Sequence, residues 1–401
     1  MQPSDQHRAG YAPLYFLSAL GAGGLSVTFF LYLMFWLPHP GQPVPVFEDI
    51  MHAFMSGGML TKVMIGTAWA GIAFFSILMF RMLIWNLRSL GQFRRTEDYR
   101  KLVNSNAGSQ LLTVPLALAM GVNAGFILGL VFVPGLWSIV EYLFPAAIAV
   151  FAAIGVYGLK LYGQFLSERL AKGGFDCAAN NSFAQTLPAF AFAMTGVGLA
   201  APVAMSTVPA TVTVGLILSS FFIIVALMIA AVTLFLGLRS MMENGVNAEA
   251  APTLWIVIPL ITVVSIAWIR QAHGMHVHFD VHGGKGVSLE MLLPLLSVQV
   301  ATALFGWSVL REQGYFGRFV TGTERSPGSY ALVCPGVALS VMLQFFVNKG
   351  LVGSGVVEKF SAVYWALSAP ALILQVATIA LVIALNSKHF GADRTPIVQA
   401  A

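Results

Sequence analysis

The sequence predicts an all-α polytopic membrane protein of about ten transmembrane helices, and three observations carry that expectation. Hydrophobic residues fill 58% of the 401 positions and charged residues only 9%, where a soluble domain needs about 25% charged residues to cover its surface. The apolar residues gather in runs of about 20 or more, the helical length that crosses roughly 30 Å of hydrocarbon. The basic residues, which set a net charge of +5, lie in short segments between those runs, a placement that reads as membrane topology and not as a nucleic-acid surface.

The runs cover 13–38, 62–87, 110–134, 137–162, 183–206, 210–238, 252–271, 288–311, 327–348 and 358–386. The first follows a polar start, MQPSDQHRAGYAP, that has no signal-peptide core, so it is expected to persist as a helix. Residues 46–60, VFEDIMHAFMSGGML, are apolar but short and carry Glu48, Asp49 and His52; they read as an interfacial helix on the outer side. Brief connections, VPGLW near 135 and STVPA near 208, close the second and third of five hairpins. No linker separates soluble domains, and residues 1–401 are expected to form a single transmembrane domain.

Orientation follows from the loop cations. Fourteen (Arg8, Arg88, Arg94, Arg95, Arg100, Lys101, Arg169, Lys172, Arg239, Arg311, Arg318, Arg325, Lys388 and Arg394) fall on the side of the termini, against five on the other: Lys62, Arg270, Lys285, Lys349 and Lys359. That imbalance predicts cytoplasmic termini, and an even number of spans agrees.

The odd-numbered spans share a pattern. The first reads PLYFLSALGAGG, the third PLALAMGVNAG and the fifth PAFAFAMTGVG, with proline followed ten residues later by glycine: Pro13 to Gly23, Pro115 to Gly125, Pro188 to Gly198. The seventh has Pro252 and Pro259 without a matching glycine, and the ninth has Pro327, Pro335 and Gly336. Small residues let backbones approach or leave space beside them, and proline bends a helix where neighbours or a watery cavity satisfy the freed carbonyl. The even spans are bulkier, as in FFIIVALMIAAVTLFLGL of the sixth. The alternation predicts odd helices in an inner pore ring and even helices in an outer one.

Ten spans in five hairpins, with glycine-bearing, kinked odd helices, resemble the tellurite-resistance/dicarboxylate transporter family of TehA-like bacterial proteins and plant slow anion channels, over about residues 11–387. The resemblance implies a central pore lined by the odd helices that passes chloride, nitrate, sulfite or small carboxylates, as a channel or exporter. It also implies a homotrimer with one pore per protomer, and the expected location is a bacterial inner (plasma) membrane. In channel members a phenylalanine just before the ninth-helix kink proline blocks the pore. Here the run is SYALVCPGVALS, with Cys334 before Pro335, so the familiar plug is missing: either the pore is less tightly closed, or another bulky residue such as Phe190, Phe192 or Met194 of the fifth span plugs it.

No Asp or Glu lies near the middle of an odd span. Proton-driven carriers commonly need such a relay, so the expectation is passive or weakly coupled flow. Anions can instead be met by hydroxyls and amides, for which Ser18, Asn123, Thr195, Thr262, Ser265 and Ser340 are candidates; the ordinary alternative is hydroxyls bonding back to their own helices. Arg270 and Lys349, near outer ends, are candidates for an anion-concentrating mouth or for simple interface anchors.

After the seventh span, RQAHGMHVHFDVHGGKG places His276, His278, Asp280 and His282 at period two, on one face if the chain is extended. Imidazole and carboxylate suit a divalent metal, but the spacing matches no standard metal signature, and a pH-responsive mouth, interfacial histidines or no role are the alternatives. No other cofactor is expected. The competing functions are a quinone-interacting subunit of a redox complex and a secondary carrier of another fold. All eight histidines fall in predicted loops or tails, against haem held within the bundle, and the serial hairpins lack the two-halved symmetry of inverted-repeat carriers. Two distant cysteines, Cys177 and Cys334, predict no disulfide framework, and no catalytic constellation predicts an enzyme.

Overall fold

The computed structural model describes residues 10–281 and 286–391. Regular structure among them is helical throughout, because chain in hydrocarbon must satisfy its own backbone hydrogen bonds. Among the described residues, ten helices are long and apolar enough to cross a membrane: Pro13–Trp36, Met59–Phe93, Asn106–Phe132, Leu136–Lys172, Ala184–Met205, Pro209–Asn244, Ala251–Phe279, Val287–Glu312, Pro327–Val352 and Ala362–Phe390. This is an integral multi-pass membrane protein.

The inner helices are α1 (Phe16–Trp36), α5 (Thr113–Phe132), α7 (Leu187–Met205), α9 (Val257–Phe279) and α11 (Val333–Phe345), and the outer ones α3 (Met59–Phe93), α6 (Val140–Lys172), α8 (Pro209–Asn244), α10 (Val287–Glu312) and α12 (Ala362–Phe390). Each inner helix packs on the next, and α11 returns to α1, which closes a ring of five. Between 56% and 89% of the most apolar stretch of each inner span is buried, against 17–39% for the outer spans. The outer helices turn large side chains such as Phe74, Met228, Phe235, Phe305 and Ile373 away from the protein, the face lipid requires. Two short helices, α2 (Phe47–Ser56) and α4 (Glu97–Val103), complete the set. Asp49 in the first turn of α2 accepts from the Val46 N–H at 3.2 Å, and Ile50 and Ala53 bury the apolar face of this helix against α3 and α5.

All five inner spans begin with a 3₁₀ turn: Pro13–Tyr15, Asn106–Leu112, Ala184–Thr186, Ala251–Trp255 and Pro327–Leu332. That junction explains where the proline spacing misleads. Pro115, Pro188, Pro259 and Pro335 occupy the first α-helical turn, where proline's missing N–H costs little. Pro13 lies earlier, within the 3₁₀ turn, so Gly23 does not fall at the level of Gly125 and Gly198.

Three outer helices run beyond their apolar cores, to Phe93, Lys172 and Asn244. Ion pairs four residues apart, Glu168–Lys172 and Arg239–Glu243, sustain helix on those polar ends. The largest departure is at α9, which continues eight residues past the predicted end and stops at Asp280, where φ is 51°, a left-handed conformation that Asp tolerates better than most residues. His276 and His278 are therefore helical and two positions apart, which sends their side chains to different faces. The expected extended arrangement does not form.

Candidate functional site

A cavity of about 1060 Å³ fills the middle of the ring. It opens at the C-terminal ends of the inner helices, where His39 and Gln42 from the segment after α1, His273 and His276 of α9, and Lys349 line the mouth. Its deep end is formed by Leu20, Met120, Phe190, Pro259 and Cys334. No residue of the five 3₁₀ turns lines it; at that level Phe16, Leu112, Leu187 and Val333 are fully packed. The cavity is thus a blind funnel.

Glycine shapes the wall between α1 and α11. A Cβ on Gly21 would sit 2.5 Å from Val333 Cγ1, and one on Gly24 2.7 Å from Val337 Cγ1. Both glycines line the cavity, so close helix approach and lumen space come from the same face. The predicted glycines divide differently. Gly23 is covered by Met79 and Met120, Gly198 lines the cavity but backs onto the Phe151 ring, and Gly125 is exposed with open space beside it.

Of the candidate plugs, Phe190, Met194 and Cys334 face the cavity and Phe192 does not. Phe192 stacks on Phe222 at 6.1 Å and meets Tyr162 edge-on at 6.2 Å, an outer-wall packing role. Pro335 is buried without lining the lumen. Among the polar candidates, Asn123 and Thr262 line the cavity. Asn123 Nδ2 touches Met194 Sδ at 3.7 Å. The Thr262 hydroxyl accepts from Gln299 Nε2 at 2.7 Å and points its proton at the Ile258 and Ala338 carbonyls, so it has little to offer a solute. Ser18, Thr195, Ser265 and Ser340 donate to the carbonyls of Tyr15, Ala191, Ile261 and Ala371 and lie outside the lumen.

Arg270 is the charged group deepest in this site. Pro202 removes the N–H that would close on the Gly198 carbonyl and lies inside α7, where it perturbs the helix. The adjacent Val197 carbonyl accepts from Arg270 Nη1 at 2.8 Å, and Ser219, held by Gln271, satisfies the Gly196 carbonyl at 2.7 Å. Arg270 is half-buried and lines the cavity. No Asp or Glu among the described residues lines the cavity. Glu141, in the first turn of α7's packing partner α6, is occupied by Ser206 Oγ at 2.7 Å, Thr207 N at 2.6 Å and Thr207 Oγ1 at 2.9 Å.

The histidines do not converge. His276 Nδ1 lies 3.4 Å from the Val281 carbonyl, and His278 Nε2 lies 3.0 Å from the Ser206 carbonyl. No group of three metal-binding side chains occurs among the described residues; His282 lies outside them. Both cysteines are free. Sequence reasoning missed Met120, His39, Gln42 and His273 as lining residues. The first faces inward only through the rotation of α5, and the next two come from a proline-punctuated connection, LPHPGQPVP, whose composition signals a loop but not its direction. Compared with known proteins, the chain matches no family model, no curated protein and no solved structure.

Proposed function

We propose that the protein passes small anions through the central cavity of each chain, by passive or weakly coupled flow. The observation that carries this reading is the charge of the lining: Arg270 and Lys349 are its arginine and lysine side chains among the described residues, and no carboxylate opposes them. A low-dielectric funnel with one sign of charge concentrates counter-ions of the other sign. The closed five-helix ring and the blind deep end support a pore held shut at one level. Cytoplasmic termini, as the cation count predicts, put the mouth outside and the closure at the cytoplasmic end. The resemblance to the tellurite-resistance/dicarboxylate family belongs to the same reading, as does a homotrimer of independent pores.

The test is ion flux in proteoliposomes of the full chain, comparing chloride, nitrate and sulfite with potassium and with empty vesicles. Flux of anions in preference to potassium is expected. Potassium passing as readily as chloride refutes the reading.

A further inference from the structure

We infer that the cavity is a binding site for an amphiphilic monocarboxylate, whose carboxylate pairs with Arg270 while its hydrocarbon body fills the space below the mouth. The inference rests on the anion reading and names the substrate class for the same site.

Size is the first argument. A volume of about 1060 Å³ corresponds to about 35 waters at a water's share of about 30 Å³, and it matches the upper end of small-molecule pockets, roughly 300–1,000 Å³. A monatomic or triatomic anion would occupy a small part of it. The wall is the second argument. Phe30, Leu31, Phe126, Phe144, Phe151 and Phe345 all face the lumen. An inorganic ion passes such a surface with its own water shell and gains nothing from the wall, whereas the wall gains from every methylene laid against it. The third argument is Arg270, the cation set among these walls; the other lining cation, Lys349, lies at the mouth. Arg270 has one hydrogen bond, to the Val197 carbonyl, and its remaining donors can meet a carboxylate in paired fashion. Other polar groups on the wall are weak competitors: Thr262 is committed to Gln299 and to backbone carbonyls, and Asn123 already rests on Met194.

One charge and an apolar body satisfy all three features. A dicarboxylate of equal length does not: with its body in the same space its second carboxylate is pressed against phenylalanine rings without a partner, and buried unpaired charge is strongly disfavoured, whereas turned to Lys349 at the mouth it leaves the apolar space unfilled. The site therefore selects monocarboxylates over dicarboxylates, the opposite of what a dicarboxylate carrier requires.

The experiment is calorimetric titration of the full chain in lipid nanodiscs with octanoate, octan-1-ol and octanedioate, each corrected against empty nanodiscs. Octanoate is expected to bind at least tenfold tighter than either comparator. Arg270→Gln should cost octanoate at least tenfold and leave octanol unchanged, and Arg270→Lys should keep the preference for octanoate over octanol. Should Arg270→Gln fail to fold, the three-ligand series on the unaltered protein still decides. Octanol equal to octanoate, octanedioate equal to octanoate, or no octanoate binding would each overturn the inference. Chloride flux that survives alongside absent octanoate binding removes this inference alone; octanoate binding without any anion flux removes the transport reading alone.

Discussion

Replacing Arg270 by glutamine tests the electrostatic core of the reading, because the change deletes the charge while leaving an amide to serve the Val197 carbonyl. The size of the effect can be bracketed. An anion in contact with the guanidinium, at about 4 Å, gains about 1 kcal/mol if the site is as wet as bulk water and about 4 kcal/mol at the effective dielectric typical of partly enclosed protein. At 1.4 kcal/mol per factor of ten, those limits are about fivefold and about a thousandfold in anion preference. Arg270 lines a cavity of about 1060 Å³, room for about 35 waters, and with that space water-filled a small anion should lose selectivity near the lower limit. The assay is the reversal potential of single-protein currents in a planar bilayer under a potassium chloride gradient. It yields the chloride-to-potassium permeability ratio without depending on how much protein is inserted. A ratio reduced about fivefold or more in Arg270→Gln, and largely restored in Arg270→Lys, is expected. An unchanged ratio in Arg270→Gln, or equal losses in both variants, refutes the argument that this charge selects the ion.

Three further predictions follow from the packing. Cys334→Phe should cut anion flux towards the empty-vesicle level, since Cys334 faces the blind end of the funnel and a ring there adds bulk where closure already occurs; unaltered flux would shift the closure to Phe190. Gly71→Ala should destabilise by about 1–3 kcal/mol through overpacking, read as a lower thermal midpoint in a fixed detergent, because its methyl would enter the Phe29 ring, itself wedged between Tyr32 and Phe75. Tyr364→Phe should cost about 1–3 kcal/mol for buried partners left unpaired in the same assay: its hydroxyl accepts from Trp36 Nε1 at 2.8 Å and donates to Asn348 Oδ1 at 2.9 Å, and an unchanged midpoint would mean those groups find other partners.

Hydropathy made the spans legible because lipid imposes one requirement on every residue of the outer face. The run at 210–238 and the helix Pro209–Asn244 start within one residue of each other for that reason. The same signal fails where polarity and helix part company. His276 and His278 look like a loop by composition, yet α9 continues through them, because a helix stops at a backbone terminator and not at the edge of an apolar run. The alternation of inner and outer rings was legible from small residues on odd spans. Which of those residues face the lumen was not: Phe190 and Phe192 differ by two positions and by opposite faces of α7. Hydroxyls were the least legible group, since Thr195 and Ser265 look identical in sequence to lumen donors and spend their protons on their own helix. Arg270 was readable as a cation near a helix end, whereas its carbonyl partner on α7 depended on a tertiary neighbour.

The five 3₁₀ turns at the starts of the inner spans have a mechanical corollary. A 3₁₀ helix rises about 2.0 Å per residue with three residues per turn, and an α-helix about 1.5 Å with 3.6. Rewinding three residues from one form to the other therefore retracts a helix by about 1.5 Å and turns it by about 60°. Each carbonyl changes partner by a single residue, so the exchange leaves no span without backbone bonds. Performed by all five helices together, it would swing the side chains above the junctions around the central axis like the leaves of a camera iris, with the outer ring standing still as its barrel.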